Sequence, residues 1–477
     1  MNDQVLALYD VTGIQRYIFQ TRKLQDIMGA SALVGDALKD VLEKVLKEPS
    51  FAGAALVYSG GGNAILSFGS RDEWRVFNGA FSRKLLTDVP GLPVVTVCNE
   101  NSGNDEEDKI DKRVDRLFKE IAKKKALGGN GLSIFTLPPM AQSSADQMPV
   151  SVIETSKEGT DEYSYASWVK NDRGKQVASR NPNDPTEFDT IAEKIDGLKK
   201  AERLMAVVHI DGNNMGRIFD SACKRAKTAT DIKSLSVAVD ETFKKALEAV
   251  WTDEEGKIII PVKSRRKIYQ SGDDVTYVCH GAYALKSVIR FMEALKDARK
   301  GNDLIPDLSA SAGIAYVKPH FPFYRACAIA ESRCKAAKER AREQYNRQSG
   351  MDIGSWVDFE IVRGSDNARV LENRYMRPYC IITPDGRNDT YCHIGKLNTW
   401  LDIIQAGTRS KWKALRNSSL LGGTESVWQL MKSYEMELPS NDAEKSVVFD
   451  ALDLMDLEVP VGEDKPSEET AEKEGAQ

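Results

Sequence analysis

Two neighbouring carboxylates, Asp273 and Asp274, stand in a Ser271-Gly272-Asp273-Asp274 turn flanked by apolar segments on both sides. About sixty residues earlier, the apolar run Leu204–Ile210 ends at Asp211. In a ferredoxin-like sheet the end of the first strand lies beside the turn between the second and third. Asp211, Asp273 and Asp274 then converge. Three clustered carboxylates repel one another unless divalent cations neutralise them. Two Mg2+ or Mn2+ ions in such a site activate a ribose hydroxyl and stabilise a leaving pyrophosphate, which is nucleotidyl transfer. Gly272 suits a hairpin turn that requires positive φ and lets a triphosphate reach the backbone. Ser271 shapes the same turn. A bare Ser-Gly-Asp-Asp string is weak, because Gly-Asp pairs mark turns in general. The flanking strands and the partner Asp211 give it weight.

Other side chains are candidates for holding the nucleotide. Lys338 and Arg342 lie one turn apart on a predicted helix, where both could face one triphosphate or simply face solvent. Asn213 and Asn214 follow Asp211 at a predicted helix N-terminus, which suits a phosphate or ribose, although capping alone explains one of them. Lys263-Ser-Arg-Arg-Lys267 is a basic knot just before the turn.

The elements that would position these residues occur twice. Val5–Tyr9 is an apolar run ending at Asp10, and Leu204–Ile210 is one ending at Asp211. Each leads into a helical stretch. A strand, a glycine turn and a second strand follow: Leu56–Tyr58, Gly60–Asn63 and Ala64–Phe68 in the first copy, Ile268–Tyr269, Ser271–Asp274 and Val275–Val278 in the second. Each hairpin precedes a helix and another strand, residues 71–86 then 94–97, and 282–299 then 308–317. The order is βαββαβ twice, so the expected fold is α+β with two ferredoxin-like domains in tandem. The first turn carries no carboxylate, so that copy is expected to hold no metal and to serve as a structural partner or second wall of a nucleotide pocket. Asp10 then reads as a capping or bracing residue.

The expected division is a first domain at 1–100, a linking region at 101–195, a second domain at 196–362 and a mainly helical C-terminal domain at 363–455. Residues 456–477 read as a disordered acidic tail. Hydrophobic content of 41% and charge of 29% describe an ordinary globular chain, and no apolar run is long enough to span a membrane. The amino terminus lacks a secretory pattern, so a cytoplasmic location is expected. A net charge of −5 argues against a surface broadly built for nucleic acid. Seven scattered cysteines without a Cys-x-x-Cys pair argue against zinc and against disulfides.

Taken together, these motifs resemble the large polymerase-like subunit of type III CRISPR effector complexes. Asp10-Val-Thr-Gly-Ile-Gln-Arg-Tyr-Ile-Phe19 and Gly29-Ala-Ser-Ala-Leu33 are similar to that family's first palm domain. Ile210-Asp-Gly-Asn-Asn-Met-Gly216, Tyr269–Asp274 and Ser311–Ile314 are similar to its second palm. The resemblance implies that palm two converts ATP to cyclic oligoadenylate when the complex binds target RNA. It implies Asp211, Asp273 and Asp274 as metal ligands, and other effector subunits, guide RNA and target RNA as partners. It also implies a C-terminal helical domain that meets small subunits. Three departures stand out: no HD nuclease domain is expected, Ser271 replaces a glycine, and Asn213 replaces an acid. The family's zinc cysteines are missing as well. The competing readings are a non-catalytic scaffold subunit and a stand-alone palm-type nucleotide cyclase, which would use one palm.

Overall fold

A computed structural model describes residues 5–21, 23–60, 62–100, 110–127, 140–156, 159–193, 203–225, 229–253, 255–345, 352–362, 375–384, 392–421 and 423–457. Most of the expected acidic tail, from 458 onward, lies outside them. Palm one comprises β1 (Val5–Val11), α1 (Ile14–Phe19), α2 (Leu24–Asp36), α3 (Leu42–Leu46), β2 (Ala55–Gly60), β3 (Asn63–Phe68), α4 (Arg71–Asp88) and β4 (Val94–Asn99). Its sheet order is β2-β3-β1-β4, antiparallel throughout, which is the ferredoxin-like arrangement. Strand alternation divides β1 between two faces. Val5, Ala7 and Tyr9 join the core under the helices, while Leu6 and Leu8 face the opposite side.

That opposite side is covered by α5 (Ile110–Ala126), whose Val114, Leu117 and Ile121 meet Leu6, Leu8 and Ile65. The linking region continues with a hairpin, β5 (Val152–Ser156) and β6 (Gly159–Tyr163), then α6 (Tyr165–Arg180) and α7 (Phe188–Ile191). Helix α6 crosses α2 at unusually short range. A Cβ on Gly29 would fall 1.8 Å from the Lys170 carbonyl oxygen, and one on Gly174 would fall 2.1 Å from that of Gln25. Glycine costs about 1 kcal/mol relative to alanine inside a helix, so its presence on both helices reflects the closeness of the crossing.

Palm two repeats the order with β7 (Met205–Gly212), α8 (Met215–Arg225), α9 (Ala229–Trp251), β8 (Arg265–Ser271), β9 (Asp274–His280), α10 (Ala284–Ala298) and β10 (Ala310–Val317). After α11 (Phe323–Tyr345), strand β11 (Ser355–Ile361) adds parallel to β10, and β12 (Tyr379–Ile382) adds antiparallel to β11. The sheet order is therefore β12-β11-β10-β7-β9-β8. The region after residue 362 thus supplies a strand as well as helices α12 (Ile394–Ala406), α13 (Arg409–Leu421), α14 (Gly423–Ser433) and α15 (Asp442–Leu454). Helix α15 carries a side-chain cap at Asn441, which accepts from the Glu444 amide. Its fully buried Asp450 accepts from the Met376 and Arg377 amides and the Tyr379 hydroxyl, tying it to β12. Asp456 and Leu457, expected to begin the tail, are buried instead, with Asp456 paired to Arg409 and Arg416.

The palms share a core. Met205 and Val207 of β7, Val278 of β9, Ala315 and Val317 of β10 and the start of α11 form one cluster with α1, α2 and α4 of palm one. Helix α9 lies beside edge strand β2, and α2 lies beside edge strand β8. Each palm therefore covers one sheet edge of the other. Among the described residues no helix is long and apolar enough to cross a membrane, and six of the cysteines are free thiols.

Candidate active site

Strand pairing brings the acidic residues together. Asp211 at the end of β7 stands opposite Asp274 at the start of β9, and the Gly212 amide donates to the Asp273 carbonyl at 3.2 Å. A Cβ on Gly212 would come within 2.8 Å of the Asp273 side chain, so glycine there lets that carboxylate fold back over β7. Gly272 takes φ +59°, the left-handed turn expected of it. Burial, reinforced by the Asp211 charge, pushes Asp273 up to about 7. Burial and the charges of Asp211, Asp273 and Glu331 push Asp274 well above the usual carboxylate range. Asp274 keeps 34% of its side chain accessible, yet its Oδ1 is buried without a hydrogen-bond donor. His209 lies behind it, with Nδ1 3.5 Å from that oxygen and 3.1 Å from Thr276 Oγ1. Burial lowers the His209 pKa to about 4, so the ring is neutral.

Lys338 of α11 donates from Nζ to Asp211 Oδ2 at 2.5 Å and to the Gly212 carbonyl at 2.7 Å. Three carboxylates lie close together here, two with raised pKa, and one buried oxygen lacks a donor. As the side chains stand, Lys338 is the cation neutralising Asp211. No group of three or more His, Cys, Asp or Glu among the described residues is placed to hold a metal ion.

Palm one reproduces the backbone of this site without its hairpin acids. Asp10 pairs with Asn63 as Asp211 pairs with Asp274, and the Val11 amide donates to Gly62 as that of Gly212 does to Asp273. Asp10 was expected to cap a helix or brace the hairpin; among the described residues it is ion-paired with Lys125 of α5 at 2.6 Å. Both palms thus place a lysine from the helix after the fourth strand on the aspartate of the first. A cavity of about 490 Å3 opens between the palms, lined by Lys39, Ser59, Gly62, Asn63, Gln270 and Ser271 among others.

Residues 204–347 match the family model described as Cas10/Cmr2, second palm domain. The second palm is thus similar to that of Cas10/Cmr2. No curated protein matches the chain. Among solved structures, a Csm1–Csm4 cassette in complex with AMPPNP aligns at 15% identity and TM-score 0.57, covering 94% of this chain and 70% of that one. The cassette in complex with cA3 aligns at 15% and 0.56, over 95% and 70%. The Csm1–Csm4 subcomplex of the type III-A CRISPR–Csm interference complex aligns at 15% and 0.51, again over 95% and 70%. These likenesses extend the Cas10-like fold beyond palm two to nearly the whole chain.

In this Cas10-like chain, Ser271 and Gly272 form the turn, and Asp211, Asp273, Asp274 and Lys338 meet around it. Arg342 does not join them; it is exposed, a turn beyond Lys338 on α11. Asn214 takes φ +53°, and its carbonyl accepts from the Arg217 and Ile218 amides at the start of α8. Asn213 is buried, donating to Gly354 O at 2.9 Å and Ser309 Oγ at 3.3 Å and accepting from Ser311 Oγ at 2.9 Å. Its amide is occupied in tying β7 to β10 and the start of β11. The basic knot is largely spent on structure, with Arg266 on Asp184 and Arg265 over the Trp251 ring. Sequence reasoning missed His209, two residues before Asp211 on the same strand face, and Asp240 of α9. The period-two spacing could have flagged the histidine; nothing in the sequence pairs Asp240 with the turn.

Proposed function

We propose that this Cas10-like chain is the nucleotidyltransferase subunit of a type III CRISPR effector complex, converting ATP to cyclic oligoadenylate when the complex binds target RNA. The observation that carries this reading is the presence of carboxylates at one hairpin only, with both hairpins lining the same cavity. The ribose 3′ oxygen of one ATP attacks the α-phosphorus of the next. The bond to the β-phosphate breaks, pyrophosphate leaves, and the hydroxyl proton is lost to solvent or base. Asp211, Asp273 and Asp274 would hold Mg2+ or Mn2+, which when bound acidify the hydroxyl and offset charge on the leaving group. Gly272 brings the turn backbone up to the phosphates. Lys338, once free of Asp211, supplies a fixed cation to them.

The similar Csm1 structures are assembled with Csm4 and bound to AMPPNP or cA3, which supports nucleotide binding and other effector subunits as partners here. Guide RNA and target RNA would act through the assembled complex, in the cytoplasm. A second reading, a catalytically weak scaffold, is favoured by the Lys338–Asp211 pair. The test is synthesis by the purified complex with ATP, Mn2+ and target RNA. Asp273→Ala with Asp274→Ala should abolish product and leave assembly intact. Product from the double variant would remove these carboxylates from the mechanism; no product from the wild type would favour the scaffold.

A further inference from the structure

The turn that carries Asp273 and Asp274 is held from outside the sheet. Asp240, on α9, accepts from the Gly272 amide at 3.1 Å and from Gln270 Nε2 at 3.1 Å, both through Oδ1. Its other oxygen accepts from Lys244, one helical turn along. The Asp240 carboxylate is only 30% accessible, so these contacts are partly shielded from water. A hydrogen bond to a charged acceptor is stronger than a neutral one. Here it falls on the amide of the left-handed residue, the one whose rotation would swing both following carboxylates. Helix α9 also lies beside β2 of palm one. The helix that carries Asp240 therefore also takes part in the palm–palm contact.

We propose that Asp240 is a positioning residue for the Ser271–Asp274 turn, fixing Gly272 so that Asp273 and Asp274 face Asp211. The role rests on the nucleotidyl-transfer reading for its catalytic consequence, but not for its structural one. Lys244 orients Asp240 and is secondary, because its removal leaves both accepted hydrogen bonds in place.

The experiment uses the full chain and compares wild type with Asp240→Ala, Asp240→Asn and Lys244→Met. Amide hydrogen exchange is followed in the peptide spanning 268–276. Asp240→Ala should accelerate exchange there by about tenfold or more, as expected for loss of a charged acceptor. Asp240→Asn retains an acceptor oxygen and should restore most of the protection, and Lys244→Met should leave it near wild type. In the assembled complex, Asp240→Ala should lower kcat for oligoadenylate synthesis at least tenfold with KM for ATP little changed, and Asp240→Asn should recover most of it. Unchanged exchange in Asp240→Ala, or wild-type kcat in that variant, overturns the proposal. So does a general loss of protection in every peptide that Asp240→Asn fails to rescue, which would make the residue a fold determinant only. If the wild type makes no product, the activity reading fails while the exchange comparison still decides the role of Asp240.

Discussion

Asp273 has a higher pKa in the folded chain than an exposed aspartate has, because burial and the Asp211 charge both disfavour its ionised form. A carboxyl raised in this way binds its proton more tightly when folded than when unfolded. Its stabilising contribution is complete below the unfolded value of about 4 and is lost as pH rises through about 7. Asp274 is raised in the same direction. Thermal melts of metal-free wild type and Asp273→Asn across this range should diverge, the wild type losing relative stability toward neutral pH. Mn2+ should restore it at pH 7 in the wild type and much less in the variant. A difference between the two proteins that does not vary with pH would sink this assignment. At this scale the sequence was informative where a residue ends a strand or occupies a turn, since its position then follows from backbone pairing. Asp211, Gly272, Asp273 and Asp274 are of that kind. Asp240 and Arg342 lie on helices, where contact depends on how the helix is rotated and docked, and spacing along the chain does not determine that. Asn213 misled for a related reason: its neighbours Ser309 and Gly354 are about a hundred residues or more away.

The crossing of α2 and α6 places a backbone carbonyl where a Cβ of Gly29 would go. Gly29→Ala therefore should not gain the usual helix-propensity benefit; it should force the helices apart at a cost of about 3 kcal/mol or more. The expected result is a melting temperature lower by several degrees and faster proteolysis between residues 140 and 193. A variant as stable as wild type would mean that the helices can separate freely. Elements with a strong period, such as α4, α10 and the four strands of each palm, were legible from apolar spacing. The ends of α12 and α13 were less so, because the two helices are divided only by the short break at Gly407. Strand β12 is only four residues long and was not foreseen. Helix α15 falls within the expected helical domain, where the Asn441 and Glu444 cap precedes the apolar positions Val447, Val448, Ala451 and Leu454.

The shared core makes the two palms dependent on each other. Residues 196–457 produced alone would expose Met205, Val207, Val278, Ala315 and Val317, which palm one now covers. Such a fragment should bind a hydrophobic dye and aggregate, whereas the full chain should do neither; a monomeric, dye-silent fragment would contradict the shared core. The duplication itself was legible because strand–turn–strand order survives divergence, but the way the copies cover one another's edges was not, since no local pattern encodes it. One consequence concerns the lysine–aspartate pair found in both copies. The first palm amounts to a control experiment carried within the same molecule, a version of the scaffold from which the hairpin acids are missing. There Asp10 still holds Lys125, so that contact must repay its keep through folding alone. Lys338 is held on Asp211 in the same way, and the proposed turnover would have to release it from that contact.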